Sequence, residues 1–202
     1  MLSKDEWNPG LDNAGASLRS VYSSLPGNGP ADVPWYVRLL ESPRSPLALA
    51  GAIDLFGHDC LHVLLGRGLL QQDEAFVLGF TMGSAQSCPD WQARCFRWCA
   101  EHLYRGAYRF GAIDGQVFRY AFEAARCGSC VALSDFDFRA WLDRPLAALR
   151  AETGIEPAWL RGLYAAEAAL WPETAASARL VPRCDRRAGR RIARPQCPGA
   201  SP

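Results

Sequence analysis

Apolar residues recur mostly at every third or fourth position between Trp35 and Trp171, and no segment alternates strictly between apolar and polar residues. This spacing is typical of α-helices that bury one face, whereas a half-buried strand has a period of two. The pattern therefore predicts an all-α fold, a compact bundle of about six to seven helices. With breaks at short segments rich in Gly, Pro and other turn residues, the predicted helices cover 34–41, 44–65, 70–86, 89–108, 114–127, 136–152 and 157–170.

The two ends of the chain lack this pattern. Residues 1–33 are rich in Gly, Pro, Asn and Ser and predict an irregular N-terminal arm or a loosely packed lead-in. Residues 173–202 carry arginines among Pro and Gly without an apolar face, which is typical of a disordered tail. Such a tail can bind anionic lipid or nucleic acid through charge, although most are only solvated. A chain of 202 residues favours one domain, which we assign to 34–172.

Composition adds few constraints. Hydrophobic residues make up 49% and charged residues 21%, with a net charge of +1, as in an ordinary globular protein. The N-terminus lacks the basic start and apolar core of a secretory signal, and no apolar run approaches the roughly 18–20 residues of a membrane span. We therefore expect a cytoplasmic protein. Attachment to a membrane surface is compatible with this expectation, because it needs no spanning helix. The eight cysteines are then expected to be mostly reduced and buried.

The segment "FGHDCLHVLLGRGLLQQDEAF" gathers polar side chains in apolar surroundings. On an α-helix, His58 and His62 lie about 40° apart, and Asp59 falls with them inside an arc of about 100°. The glycines of "GRG" allow the helix to end and the chain to reverse. Glu74 then follows about one turn into the next helix, where an antiparallel partner can present its carboxylate to the same point.

Two imidazoles and two carboxylates suit a divalent metal: zinc first, or manganese, iron or cobalt, but not calcium. The alternative is a hydrogen-bonded histidine pair with solvated acids. The apolar flanks favour the metal, because buried charge needs a partner or an ion. Asp54 lies one turn before His58, where it either accepts the second ring hydrogen of that histidine or only caps its helix.

The pattern His-Asp-x-x-His, followed by eleven residues and Glu, resembles the signature of the ubiquinone biosynthesis COQ-four family. A second segment, "RPLAALRAETGI" from Arg144 to Ile155, resembles the C-terminal part of that family, where a similar Pro-Leu then Leu-Arg run precedes a glycine turn. Together the two segments indicate a relationship over about residues 33–170. The arm and the tail fall outside it.

The resemblance implies an all-helical protein, here a bacterial member, in which His58, Asp59, His62 and Glu74 hold a divalent metal, usually zinc. It also implies a pocket for a prenylated quinone precursor, a membrane surface and other quinone-biosynthesis enzymes as partners, and oxidative removal of the carboxyl group at ring carbon 1. For this chain we expect a location in the cytoplasm or on the inner face of the cytoplasmic membrane, and a homodimer is a further candidate. The candidate pocket residues, which would equally pack a helix pair, are Leu61, Leu65, Val77, Leu78, Phe80 and Met82.

Other functions receive less support. A non-catalytic, lipid-binding scaffold is the main alternative, because four protein ligands are common in structural metal sites. A metal phosphohydrolase of the HD type would need a further histidine, and only His102 remains. Cys127 and Cys130, and Cys95 with Cys99, have spacings seen in zinc or redox pairs, but a second zinc site would require their helices to converge. No motif that reads DNA or RNA is present, so nucleic acid is not an expected partner.

Overall fold

A computed structural model describes residues 3, 5–26, 43, 45–46 and 48–180 of the chain. The described part is all-helical and contains no named strand. Its α-helices, in chain order, are α1 Leu18–Tyr22, α2 Leu55–Leu65, α3 Gln71–Ser84, α4 Asp90–His102, α5 Ala112–Cys127, α6 Leu146–Glu152, α7 Pro157–Leu170 and α8 Ser177–Leu180. Single turns of 3-10 helix occur at Gly106–Tyr108, Leu133–Asp135 and Phe138–Trp141. None of these helices is long and apolar enough to cross a membrane.

The periodic pattern located most of these helices. The predictions over 70–86, 114–127 and 157–170 are confirmed by α3, α5 and α7. The segment 89–108 is helical to His102 and then turns, with Gly106 at a φ of 60°. The helix predicted over 34–41 lies outside the described residues.

Two predicted helices are wrong in their first halves. The helix predicted over 44–65 begins only at Leu55, because Gly51 takes a φ of 87° and Asp54 is an extended N-cap. The segment 136–152 is α-helical only from Leu146. Pro145 stands before it in an extended conformation, and the preceding residues form 3-10 turns instead.

The centre of the bundle is the contact between α3 and α5, the most extensive helix pair. It is close because Gly79 and Gly83 lie one turn apart on α3, where they face the backbone carbonyls of Phe118 and Phe122. A Cβ built on either glycine would lie 2.2 Å from the facing carbonyl oxygen. Bare backbone therefore sets the distance between the two helices.

The described part of the N-terminal arm, residues 3 and 5–26, is irregular apart from α1, but it contributes side chains to the core. Trp7 and Leu18 are buried in the main hydrophobic core, and Trp7 Nε1 donates to Ser24 Oγ at 3.1 Å. The backbone of α1 is fixed by hydrogen bonds from Leu18 and Arg19 to carbonyls just before α6. At the other end, α8 packs against α7, so the chain is ordered beyond the predicted boundary at 172. Residues 181–202 of the predicted tail lie outside the described residues.

Candidate metal centre

The predicted helix hairpin is formed by α2 and α3. Helix α2 ends at Gly66, whose φ of 68° is left-handed, and the amide of Arg67 donates back to the carbonyl of His62 at 2.9 Å. The chain reverses through "GRG", as the sequence predicts. Helix α3 begins with a bond of 3.1 Å from the amide of Leu70 to the carboxylate of Asp73, which leaves Glu74 in the first turn.

Three of the four predicted ligands converge at this hairpin. His58 Nε2 lies 2.9 Å from Glu74 Oε2, and His62 Nε2 lies 3.3 Å from the same oxygen. The two Nε2 atoms are 3.1 Å apart. Among the described residues this is the only group of three or more His, Cys, Asp or Glu side chains brought close enough to share an ion.

The tautomer of His62 directs a lone pair into this cluster. Its Nδ1 lies 2.7 Å from the carbonyl oxygen of Gly68, which can only accept, so Nδ1 carries the hydrogen. In neutral His62 the Nε2 atom is then an acceptor that faces His58 Nε2 and Glu74 Oε2. Neutral His58 adds at most one hydrogen among the three atoms, and one hydrogen cannot bridge three pairs. A metal cation at the centre of the three atoms would satisfy all three contacts at once.

The separations of these atoms fit a shared cation. Donors with bonds of about 2.1 Å lie about 3.0 Å apart at octahedral angles and about 3.4 Å apart at tetrahedral angles. The observed separations are 2.9, 3.1 and 3.3 Å, so two lie within this range and one lies just below it. The hydrogen bond from His62 to Gly68 is the support that metal-binding imidazoles usually have. The three donor atoms are therefore suited to bind a divalent metal from one side.

Burial is graded across the cluster. The His62 side chain is fully buried, whereas those of His58 and Glu74 are 17% and 32% exposed. Burial alone would raise the pKa of Glu74, but the charges and hydrogen bonds of His62 and His58 hold that pKa well below its usual range. Glu74 is thus an ionised candidate ligand at the outer edge of the cluster, which is partly exposed there.

Asp59, the fourth predicted ligand, is not a member of this cluster. It is half-buried on the flank of α2, and burial raises its pKa. His58 and His62 oppose that rise, and Glu74 and Asp54 add to it, so Asp59 is within electrostatic range of the site. Direct ligation by Asp59 stays a prediction.

Asp54 has the contacts of a helix cap. Its Oδ1 accepts from the amide of Gly57 at 2.7 Å, and its Oδ2 lies 3.4 Å from Arg139 Nη2. These contacts favour the capping alternative over support of the His58 ring.

Replacing Asp54 with alanine is therefore expected to lower the free energy of unfolding by about 1 kcal/mol without changing metal content. Serine, which also caps helices, should recover most of that loss. Denaturant titration and elemental analysis of the two variants measure both quantities. Metal lost from both variants would assign Asp54 to the site instead.

The candidate pocket residues belong to the packed interior. Leu61, Leu65, Val77 and Phe80 are fully buried in the main core, and Met82 is buried in a second cluster formed by α3, α4 and α5. Leu78 is partly buried against that second cluster. Core packing, the alternative considered for these residues, thus accounts for their positions.

Sequence reasoning missed a buried arginine in the turn of the hairpin. Arg67 Nη1 and Nη2 each lie 2.9 Å from the carboxylate of Glu167 on α7, and its Nε lies 3.0 Å from Asp73 Oδ1. The guanidinium lies over the rings of Phe76 and Tyr164, 4.4 and 5.1 Å from their centres. These contacts hold Arg67 in place within the turn. The next residue, Gly68, accepts the hydrogen bond that orients His62. The glycines of "GRG" indicate a turn, but nothing in the local sequence indicates that the arginine between them is buried.

A second missed arginine lies inside the segment 144–155. Arg150 Nε donates to the carbonyl of Leu64 at 2.9 Å, and its Nη2 donates to Asn13 Oδ1 at 3.0 Å. A cation at the carboxyl end of a helix stabilises the last carbonyls, and here the helix is α2, which carries both histidines. The segment that resembles the family thus contacts the end of the helix that carries the motif.

The cysteines and His102 form no second site in the described residues. The six described cysteines are free, and Cys130 Sγ contacts the carbonyl of Ala125 at 3.9 Å. His102 stacks on Trp98, and its Nδ1 donates to the carbonyl of the same residue at 2.9 Å.

Comparison of the chain with protein-family models, with curated proteins and with solved structures finds no match. The resemblance to the COQ-four family therefore rests on the two segments of sequence described above.

Proposed function

We propose that this chain is a divalent metal-binding protein of ubiquinone biosynthesis that acts on a prenylated quinone precursor. The observation that carries the proposal is the convergence of His58, His62 and Glu74 within 3.3 Å of one another at the predicted hairpin. The spacing of the motif supports the family assignment. Zinc is the proposed metal, with manganese, iron or cobalt as substitutes that share the same donor set.

The proposed role of each residue in the site follows from how deeply it is buried. His62 is the inner ligand, oriented by Gly68, and Glu74 is the outer, ionised ligand at the exposed edge. A bound cation would hold a carboxylate or phenolate oxygen of the quinone precursor. It would also neutralise the negative charge that builds up on the ring as carbon dioxide leaves. Asp59 is half-buried and within electrostatic range of the histidines, and its proposed role is to orient a polar group of the substrate or to serve as a fourth metal ligand.

An oxidative reaction sets a further requirement. Exchange of the ring carboxyl group for a hydroxyl group releases carbon dioxide and passes two electrons to an acceptor. Zinc has no redox chemistry, so the acceptor would be dioxygen reacting with the ring directly. Manganese or iron at the same site would allow the metal to take part. The identity of the metal therefore says whether the metal could take part in an oxidative reaction or whether the electrons would have to pass from the ring to dioxygen directly.

The alternative function is a lipid-binding scaffold that organises quinone-biosynthesis enzymes, with the metal tying α2 to α3. Structural zinc sites usually have four protein ligands and no open position. The cluster has three ligands and a partly exposed edge, an arrangement more common in catalytic sites. This difference favours the enzyme.

Elemental analysis of the purified protein is the first test. We expect about one metal ion per chain in the wild type, and little or none in His58→Ala and Glu74→Ala, because two donors rarely retain a metal against chelators. His102→Ala and Glu123→Ala are matched controls, since both residues lie outside the cluster, and they should keep the metal. Absence of metal from the wild type after incubation with zinc, manganese, iron or cobalt would contradict the proposal.

The enzyme and the scaffold are then distinguished with a prenylated hydroxybenzoate as the probe. Release of carbon dioxide by the metal-loaded wild type, lost in a folded Glu74→Ala variant, would support catalysis. Binding of the probe without turnover, together with unfolding of Glu74→Ala on loss of the metal, would support the scaffold.

A further inference from the structure

Helix α4 presents two large aromatic side chains to the outside. Trp91 and Trp98 are 58% and 53% exposed, while the opposite face of the helix buries Ala93, Phe96 and Ala100. The two tryptophans are seven positions apart, so they lie about 20° apart around the helix and about 10 Å apart along it. Leu103, 55% exposed, follows at the end of the helix. Solvation alone gives no reason for this much exposed apolar surface on one helix.

The charges around this face are mainly positive. Four arginines and two acids lie between Asp90 and Phe110. Both acids are already in ion pairs, Asp90 with Arg126 and Glu101 with Arg97. Arg94 and Arg105 are exposed, and neither has a carboxylate within ion-pair distance among the described residues. The outer face of α4 and the segment that follows it therefore combine exposed indole rings with two exposed arginines outside ion pairs, of which Arg94 is also within electrostatic range of Asp90.

We propose that this face of α4 docks the protein on an anionic lipid bilayer, with Trp91 and Trp98 in the headgroup region. Tryptophan is enriched at that depth because its ring is apolar and its N–H is polar. Arginines at the surface add electrostatic attraction to anionic lipids. The convex helix suits a deformable bilayer and needs no complementary groove.

The charge of this face favours a lipid bilayer over a second copy of the chain as its partner. Tryptophan and arginine are also common in protein interfaces. A symmetric dimer through α4, however, would place Arg94 and Arg105 of one copy near the same residues of the other, which is unfavourable. An anionic surface neutralises these charges instead.

Vesicle co-sedimentation of the full chain tests the proposal, using phosphatidylcholine vesicles with and without phosphatidylglycerol. The test variant is W91Q/W98Q, and its matched control is V131Q/L170Q, which removes two apolar side chains that are 43% and 58% exposed elsewhere. We expect the test variant to bind the anionic vesicles about tenfold more weakly or worse than wild type, and the control to bind like wild type. The affinity of R94Q/R105Q for anionic vesicles should fall about fivefold for each arginine removed. The difference in affinity between this variant and wild type should become smaller in high salt.

All variants keep the basic residues beyond 180, so any binding by that segment cancels in the comparison. The tryptophans are more than half exposed, and unchanged unfolding midpoints will show that the variants fold. A blue shift of wild-type tryptophan emission on addition of anionic vesicles provides a test without mutation. Equal binding by wild type and W91Q/W98Q would overturn the proposal. So would a concentration-dependent dimer that the same variant abolishes, since a second copy would then be the occupant.

The inference does not depend on the metal. Wild type treated with chelator should bind vesicles as before, so failure of the metal site and failure of the membrane face give different results.

Discussion

Replacing Arg67 with methionine is expected to lower the free energy of unfolding by about 3–5 kcal/mol, because it leaves buried carboxylates without their cation. Glu167 and Asp73 are 0% and 2% exposed, and both lie within 3.0 Å of the Arg67 guanidinium. Methionine keeps an unbranched stem between Phe76 and Tyr164, so the loss reports mainly the charge. Since natural domains are stable by roughly 5–15 kcal/mol, this variant should be close to unfolding.

Denaturant titration measures this loss, with Arg161→Met as the matched control. Arg161 pairs with Asp12 at 2.7 Å, but both side chains are more than half exposed. The control should lose at most about 1 kcal/mol. Adding Glu167→Leu to Arg67→Met removes one of the stranded carboxylates and should recover part of the stability. A loss no larger than that of the control would show that the buried network is not a major source of stability.

Replacing Gly83 or Gly79 with alanine is expected to destabilise the bundle by about 2–3 kcal/mol, even though alanine is the better helix former. The new methyl group would lie 2.2 Å from the carbonyl oxygen of Phe122 or Phe118. Backbone atoms on the facing helix cannot rotate away as a side chain can, so α3 and α5 must separate. For a chain of this size the unfolding midpoint should fall by about 5–10 °C.

Gly162 provides a control of opposite sign. It lies within α7, is exposed, and a Cβ there meets no atom within 4 Å. Gly162→Ala should therefore raise stability by up to about 1 kcal/mol through helix propensity. Calorimetry of the three single variants compares propensity with packing directly. A stabilising effect at Gly79 or Gly83 would mean that α3 and α5 are further apart than described.

The helices differ in how far the sequence predicted them. The apolar period located α5 and α7 because each keeps one face on the core for three or more turns, whereas α3 is buried on nearly all sides and was located by its apolar residues and the breaks that flank it. The same period over-extended α2 and α6 toward their N-termini. Several of the apolar residues described there, among them Leu49, Ile53 and Phe138, are also buried or half-buried, but Gly51 and Pro145 impose backbone conformations that a helix cannot continue. The spacing of apolar residues indicates which side chains are buried, and side chains can be buried without belonging to a helix.

The N-terminal arm shows a related limit. Its composition predicted an irregular arm or a loosely packed lead-in and gave no sign that Trp7 and Leu18 are buried in the main core. A few large apolar residues among turn formers have no period to detect. Their burial depends on a groove made by distant parts of the chain.

The sequence alone determined the all-helical class, the hairpin at "GRG" and the pairing of His58 with His62. These features are local: residues four apart share a helical face, and glycine permits the left-handed turn. Only the tertiary structure decided that Glu74 joins the histidines, that Gly68 orients His62, and that Asp54 caps its helix. It also decided the pairing of Arg67 with Glu167, one hundred positions away, because such contacts depend on how α3, α5 and α7 pack against one another.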